Sequence, residues 1–322
     1  ATFAQASQDL ILRVAQAYFD VLDAEENLRA GRANKQAIAQ QLEQAKKNFE
    51  VGTATITDSQ EAQSRYDLAS AQEIAAENER EVKRYALRVI VGKDYPSLNR
   101  LRADAELAPP QPASMDPWVA SAETDSFTVQ AQQAAAAVAE KEVDRMRAGH
   151  YPTVDVVANY GKNNSALSFV GNDTLDTTSR NVGLQLNIPI FQGGYVNSKT
   201  REAEANRTAA NASLENTRRT AALGARQSYL GVVNGLAGIN ALKAALVSSS
   251  SALESNKLGY EVGVRINIDV LNAEQQVYNT RRDLAKVRFD TLLAQLKLKA
   301  SVGALSETDL EQINPLFEPP AN

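Results

Sequence analysis

The stretch FEVGTATITD, residues 49–58, returns as YEVGVRINID, residues 260–269, 211 positions later in the 322-residue chain. Each copy contains a glycine, Gly52 or Gly263, between two long segments. The same offset relates further pairs: Tyr18 with Tyr229, Leu42 with Leu253, Ala62 with Ala273, and Val91-Gly92 with Val302-Gly303. A repeat this long covers a whole structural unit. The sequence predicts one helical hairpin, built twice, with its turn at the glycine.

Proline placement supports long helices in both copies. Residues 1–95 and 190–314 contain none of the ten prolines. Proline removes an amide donor and collides with the preceding turn, so long helices are expected in these two stretches. A helix from near residue 1 to residue 51 would be about 75 Å long at 1.5 Å per residue.

Apolar residues in the first copy step by three and four, which predicts a coiled-coil seam on each arm. The first arm carries Leu10, Val14, Ala17, Val21, Ala24, Leu28, Ile38, Leu42, Ala45 and Phe49. The second carries Leu68, Ala71, Ala75, Asn78, Val82, Tyr85 and Val89. In the second copy, a helix is expected from near Asn197 to the turn at Gly263, followed by a return to Gly303.

Glycines interrupt the first arm of the second copy at Gly224, Gly231, Gly235 and Gly238. Each exposed interior glycine costs about 1 kcal/mol relative to alanine. Two interpretations are open: local weakness with a slight bend, or close packing against a neighbouring helix.

The sequence between the repeats differs in kind. Residues 93–116 are rich in proline and predict a connector, and a helix is expected from about Pro117 to Gly149. Residues 153–161 and 181–190 then alternate apolar with polar side chains, which predicts two strands joined by a long polar loop from Lys162 to Ser179. Each predicted strand has about ten residues, a length typical of membrane-spanning β-strands. A solvent-exposed hairpin that covers a soluble core is the alternative.

Composition argues against several classes of function. The net charge of −5 is mild and both signs are interspersed, so no nucleic-acid partner is expected. The only histidine, His150, lies at a helix-to-strand junction, where a structural role is expected, and there is no cysteine. Gly193-Gly194 lacks the lysine and spacing of a phosphate loop and predicts a tight turn. Neither an enzyme nor a cofactor is expected.

The chain resembles the TolC-type outer-membrane channel-tunnel family of Gram-negative bacteria along almost its whole length. The resemblance rests on AYFDVL from Ala17, the VG turns at Gly52 and Gly263, GHYPTVDV from Gly149, NIPIFQGGYVNS from Asn187 and GYEVGVRINIDVLNAE from Gly259. It implies a mainly α-helical fold, with long coiled-coil hairpins forming a periplasmic tunnel and one β-hairpin contributing to an outer-membrane barrel. It also implies a homotrimer that acts as an exit duct for drugs or proteins, with a periplasmic adaptor and an inner-membrane pump of RND or ABC type as partners.

This resemblance assigns a role to each part of the chain. Residues 1–92 would be the first-repeat helical hairpin and 93–116 an equatorial connector. The second repeat would comprise a helix over 117–149, the barrel strands over 150–192 and the helical hairpin over 193–303, with a C-terminal equatorial segment over 304–322. The family's first-repeat helix and β-hairpin would be absent from the chain, which suggests a truncated chain. Three copies would then supply six strands, too few for a wide pore.

The family also implies a gate at the two helical turns. Tyr260 and Arg265 of the inner hairpin would be tethered to Thr57 and Asp58 at the tip of the outer one. Exposed polar pairs contribute only about 0 to 1 kcal/mol each, which suits a latch that must open. Capping of the returning helices is a second role open to Asp58 and to Asp269.

Entrance selectivity is implied for two further positions. Copies of Asp269 would ring the narrow entrance and favour cations. The second such family position is Asn272 here, so a weaker ring is expected.

The alternative to a channel is a soluble coiled-coil scaffold or adaptor. The strand pair distinguishes the two functions, because only a channel would expose the apolar face of the strands to lipid.

Overall fold

The computed structural model describes residues 1–166 and 174–319. The chain divides into two compact units, residues 1–131 with 217–322 and residues 132–216. The helices are α1 (Thr2–Glu50), α2 (Ile56–Val91), α3 (Met115–Asp125), α4 (Phe127–Arg147), α5 (Tyr195–Glu261), α6 (Asn267–Ser301) and α7 (Glu307–Ile313). The strands are β1 (Arg100–Leu101), β2 (Thr153–Ala166), β3 (Thr174–Asn187) and β4 (Phe317–Glu318). The expectation of a mainly helical protein with long helices is confirmed.

In the first unit, α1 and α2 form an antiparallel hairpin. The seam predicted on α1 is buried from Ala17 to Ala45, whereas Leu10 and Phe49 at its two ends are exposed. The structure corrects the seam predicted on α2, because all seven of its residues are exposed. The residues of α2 that are buried are Ala62, Ala69, Ala76 and Leu87. Alanines seven positions apart allow the two helix axes to approach closely, so the bulkier side chains lie on another face.

The second hairpin pairs the C-terminal part of α5 with α6. A Cβ added at Gly235 would lie 2.2 Å from Thr291 Oγ1, and one at Gly231 would lie 3.4 Å from Ala294 Cβ. Gly224, by contrast, has open space around it. Close helix packing therefore explains Gly235, while nothing around Gly224 requires a glycine.

The connector and the C-terminal segment pack together on α1 and α6. Strand β1 pairs with β4 in antiparallel register, and Phe317 stacks on Phe19 at 6.2 Å between ring centroids. Phe19 in turn stacks on Phe289 of α6 at 6.1 Å. This aromatic cluster joins segments that are almost 300 residues apart, and the sequence pattern did not predict it.

The prediction of a single helix over 117–149 is wrong in one respect, because the structure has two separate helices there, α3 and α4. Ser126 between them is extended (φ −56°, ψ 131°), and its hydroxyl bonds the hydroxyl of Thr128 at 2.8 Å. Serine competes for local hydrogen bonds in this way and so favours helix ends.

In the second unit, β2 and β3 pair as an antiparallel hairpin with Thr153 opposite Asn187. Both strands have 14 residues, because each continues into the polar stretch assigned to the loop. The predicted end of the second strand is wrong, since β3 ends at Asn187 and residues 188–190 are not in the ladder. The rest of that loop, residues 167–173, lies outside the described residues. Beside the hairpin, α4 and the start of α5 are linked by an Arg147–Glu204 ion pair of 2.6 Å.

Among the described residues, one helix is long and apolar enough to cross a membrane by length and composition. Within α5, an 18-residue window reaches a mean hydropathy of 1.5, and 11% of that window is buried.

Candidate functional site

The two helical turns have the same backbone structure. Gly52 and Gly263 adopt φ of 77° and 78°, in the left-handed region that glycine occupies without strain. The amide of Gly52 bonds the carbonyl of Phe49 at 3.0 Å, and that of Gly263 bonds Tyr260 at 3.1 Å. Two further amides in each turn bond one carbonyl: Thr53 and Ala54 bond Asn48, and Val264 and Arg265 bond Gly259. Every one of these partners is 211 positions from its counterpart.

Capping differs between the turns. In the first, Asp58 Oδ2 accepts from the Thr55 amide at 3.0 Å and the Asp58 amide donates to Thr55 Oγ1 at 3.3 Å, which is a capping box. In the second, Ile266 replaces the threonine and no side chain caps α6. Asp269 instead pairs with Arg265 one turn away, at 3.6 Å. The capping role is thus present at Asp58, and Asp269 contributes as an acidic residue in the first turn of α6.

Polar contacts connect the two helical hairpins around these turns: α5–α6, which the resemblance makes the inner hairpin, and α1–α2, the outer one. Asn48 Nδ2 donates to Tyr260 Oη at 3.1 Å, and Arg65 Nη2 donates to Asn272 Oδ1 at 3.0 Å. Asn267 Nδ2 lies 3.5 Å from the Asp58 carbonyl oxygen. We call these three contacts the tip tethers.

The tethers differ from those expected. Tyr260 does bind the outer hairpin, but through Asn48 on α1, and Arg265 is engaged with Asp269 of its own hairpin. Thr57 is exposed in the first turn of α2, and neither Tyr260 nor Arg265 bonds it in the described part of the chain. Sequence reasoning missed Asn48, Arg65 and Asn267, because no spacing or repeat marks them. Only the approach of two hairpins brings them together.

An apolar contact supports the tethers. Leu271 of α6 is 1% exposed and packs with Ile38, Leu42 and Ala62 of the outer hairpin. Fully burying a leucine contributes roughly 1.5–3 kcal/mol, more than one polar tether. Packing of Leu271 therefore positions the inner hairpin, and the tethers fix the polar contacts around it.

In the second unit, the β-hairpin has one apolar face and one polar face. On one face, three cross-strand pairs are apolar: Val154 with Leu186, Val156 with Leu184, and Ala158 with Val182. The other face carries polar pairs, including Asp155 with Gln185 and Asn159 with Asn181. Leu184 is 78% exposed and Val156 73% exposed, so the apolar face has no cover within the described residues.

Two helical hairpins related by an internal repeat, and a two-faced β-hairpin that separates them in the sequence, define a class of long-helix proteins with a small β element. The outer membrane efflux protein family matches residues 1–93 and 118–304. The chain belongs to this family, which places it in the outer membrane and periplasm of Gram-negative bacteria.

Relatives agree with this assignment. Outer membrane protein TolC of Escherichia coli K12 is 33% identical over 331 residues, which cover 100% of this chain and 66% of that protein. Alkaline protease secretion protein AprF of Pseudomonas aeruginosa is 32% identical, over 97% of this chain and 65% of its own length. The Campylobacter jejuni CmeC outer membrane channel has the same fold, with a TM-score of 0.80 and 16% identity over 98% of this chain and 67% of that one. The chain spans about two thirds of the length of these relatives.

Proposed function

We propose that the protein is the outer-membrane exit duct of a tripartite efflux pump or a type I secretion system. Drugs or proteins would pass through it passively, across the periplasm and the outer membrane. Family membership supports this function, and two relatives bear the names of an outer membrane protein and a protease secretion protein. The uncovered apolar face of the β-hairpin is the observation that carries the proposal.

The β-hairpin has the features of membrane-spanning strands. Its apolar band from Val154 to Tyr160 rises about 20 Å at 3.3 Å per residue. Exposed aromatic residues flank the band, with Tyr160 at one end and Tyr151 and Phe191 near the other. Outer-membrane barrels have an apolar band about 25 Å tall between two aromatic girdles.

The hairpin also has two unpaired edges within the described residues, since its sheet consists of β2 and β3 alone. A long unpaired edge leaves backbone N–H and C=O groups without hydrogen-bond partners, which is unfavourable in lipid. Closure into a barrel pairs these groups and removes the edge. In a homotrimer of the full-length protein, strands from further copies and from the family's first-repeat β-hairpin would close the barrel. Outer-membrane lipid would then cover the apolar face.

The remaining partners follow from an exit duct. A periplasmic adaptor and an inner-membrane pump of RND or ABC type would engage the helical end, and no nucleic acid is involved. Residues 1–92 and 193–303 would form the tunnel, 93–116 and 304–322 the equatorial region, and 150–192 the barrel strands with the helix over 117–149 beside them.

The turns around Gly52 and Gly263 would form the periplasmic gate. Thr57, Asp58, Tyr260 and Arg265 remain our gate residues, and the tip tethers add Asn48, Arg65 and Asn267. None of the three tethers is an ion pair, so salt screens them weakly. A partner protein could open the gate, because its own polar groups can replace each of these hydrogen bonds.

A soluble scaffold or adaptor is the second candidate, and the helical hairpins are compatible with it. Such a protein would have to bury the apolar face of β2 and β3, and the described residues leave that face uncovered. The full-length protein distinguishes the two candidates. A detergent-dependent trimer in the outer-membrane fraction that conducts ions in planar bilayers is the expected result, whereas a stable soluble monomer would establish the scaffold.

Loss of two tip tethers should open the gate. In full-length protein, Tyr260→Phe removes the acceptor of Asn48, and Asn272→Ala removes the acceptor of Arg65. Each hydrogen bond contributes about 0.5–1.5 kcal/mol, so the double variant should favour the open state several-fold and raise single-channel conductance in bilayers.

The control for the gate is Tyr229→Phe, because Tyr229 bonds the carbonyl of Ala113, away from the turns. Its conductance should equal that of the unmodified protein. If the double variant had the same conductance as the unmodified protein, the tip tethers would not contribute to the gate.

Charge at the entrance should depend on Asp269. Replacement by alanine is expected to lower cation preference in bilayer recordings, because three copies of one carboxylate are lost. Arg265→Ala should raise that preference by freeing Asp269 from its ion pair, and Asn272→Asp should raise it by adding a carboxylate. Unchanged reversal potentials in all three variants would discard the assignment.

A further inference from the structure

A cavity of about 460 Å³ lies between α1, α6 and β1 in the first unit. Part of its wall is apolar and includes Leu101, Leu246 and Phe289. Its charged lining consists of five arginines, Arg29, Arg100, Arg281, Arg282 and Arg288, and two glutamates, Glu26 and Glu318. Positive charge is therefore in excess in a partly open pocket whose wall is apolar in part.

Three of the five arginines have no carboxylate partner. Arg29 pairs with Glu26 at 2.7 Å and Arg282 with Asp283 at 3.0 Å. In the described residues no carboxylate oxygen lies within 4 Å of Arg100, Arg281 or Arg288. Glu318 is opposite Arg100 in the β1–β4 ladder but forms no ion pair with it. Carboxylates act on two of them only at longer range, Glu25 on Arg100 and both Glu26 and Asp104 on Arg288.

Arg288 is the most enclosed of the three. Its Nη2 lies 2.6 Å from the carbonyl oxygen of Arg102 and 3.3 Å from those of Ala103 and Ala105. Its Nε is buried and has no hydrogen-bond partner. Burial lowers the pKa of the Arg288 guanidinium. Carbonyl dipoles orient this half-buried group without neutralising its charge, and Glu26 and Asp104 act on it only from beyond ion-pair distance.

A neighbouring cavity on α1 provides an internal comparison. It has a volume of about 300 Å³, shares Arg29 and Arg100, and is also lined by Arg32, Arg80 and Arg84. Those last three arginines all form ion pairs, with Glu73, Glu81 and Asp94 respectively. Apart from the shared Arg100, every arginine of the smaller cavity forms an ion pair, whereas Arg281 and Arg288 of the larger cavity form none in the described residues.

We propose that the larger cavity binds an amphipathic organic anion. Its carboxylate, sulfonate or phosphate group would be held by Arg100, Arg281 and Arg288, since guanidinium matches such groups with paired hydrogen bonds. Its apolar body would lie against Leu246 and Phe289. The volume is within the range of small-molecule sites, about 300–1,000 Å³. This site does not depend on the export route.

Binding of matched probes to the full-length protein tests the proposal. Naphthalene-2-carboxylate supplies both the charge and the apolar body, naphthalene-2-carboxamide only the body, and inorganic phosphate only the charge. Calorimetric titration should give an affinity at least tenfold higher for the carboxylate than for the other two. Equal affinity for acid and amide would overturn the proposal, and so would phosphate binding as tight as that of the carboxylate, because the apolar wall would then contribute nothing.

Variants locate the site. Arg281→Gln and Arg100→Gln should each weaken carboxylate binding about tenfold, and added salt should weaken it further. Arg13→Gln is the matched control, because Arg13 is an exposed arginine of α1 that lies outside the cavity. The amide should bind all variants alike. Unchanged carboxylate affinity in the Arg100, Arg281 double variant would contradict the assignment, provided that its Tm matches that of the control.

Discussion

Replacing Leu184 with arginine should prevent assembly of the full-length protein in the outer membrane. Leu184 lies near the middle of the apolar band, directly opposite Val156, and is 78% exposed. An arginine facing lipid near the bilayer midplane costs roughly 2–4 kcal/mol, and three copies would each carry that cost. We expect at least a tenfold loss of trimer from the outer-membrane fraction.

Gln185→Arg is the control, because the adjacent residue lies on the polar face opposite Asp155. It should assemble normally, since that face would meet the water-filled lumen. If both variants assembled equally well, the hairpin would not face lipid and the scaffold would become the better explanation. If both failed, the strands would be sensitive to bulk rather than to the side that they present.

Gly235→Ala should destabilise the second helical hairpin. The added Cβ would lie 2.2 Å from Thr291 Oγ1 and 3.1 Å from Thr291 Cβ. Thr291 is 1% exposed and its hydroxyl donates to the Val287 carbonyl at 2.6 Å, so the side chain has little room to move. Overpacking of this kind costs about 1–3 kcal/mol, partly offset by about 1 kcal/mol of helix propensity. A lower Tm of the full-length protein is the expected result.

Gly224→Ala is the matched control on the same helix. Nothing lies within 4 Å of a Cβ at Gly224, so only the gain in propensity of about 1 kcal/mol remains and Tm should rise slightly. Thr291→Ala should partly rescue Gly235→Ala by removing Oγ1 and Cγ2. A Tm for Gly235→Ala as high as that for Gly224→Ala would show that α5 and α6 do not approach closely at Gly235.

The two-fold repeat could be predicted because it is a local property. The spacing between two similar segments is visible in the sequence, and glycine at a turn has a local cause, a positive φ. Helix ends follow similar rules, so α1 ends at Glu50 and α5 ends at Glu261, 211 residues later. Alternation likewise predicted which residues of β2 and β3 share a face.

Partner choice could not be predicted in the same way. On α2, a three-and-four spacing of large apolar residues favoured Leu68 and Val82, yet both are exposed. Ala69 and Ala76 are buried instead, and Ala69 packs with residues of α1. Periodicity identifies a stripe but does not say what covers it. When a helix has two possible apolar stripes, the neighbouring helix determines which of them is buried.

The tip tethers illustrate the same limit at the candidate site. Resemblance to a family suggested the residues Tyr260 and Arg265, but the structure gives them Asn48 and Asp269 as partners. A hydrogen bond requires about 3 Å between atoms, and a shift of one residue along either hairpin would exchange those partners.

The sequence by itself determined the duplicated hairpin, its glycine turns and the two faces of the β-hairpin, because these depend on spacing and on the conformational range of single residues. Only the tertiary structure decided which face of α2 meets α1, which side chains connect the two hairpins, and which arginines of the cavity form no ion pair in the described residues. These are properties of pairs distant in the chain, and the packing of whole helices sets their distances.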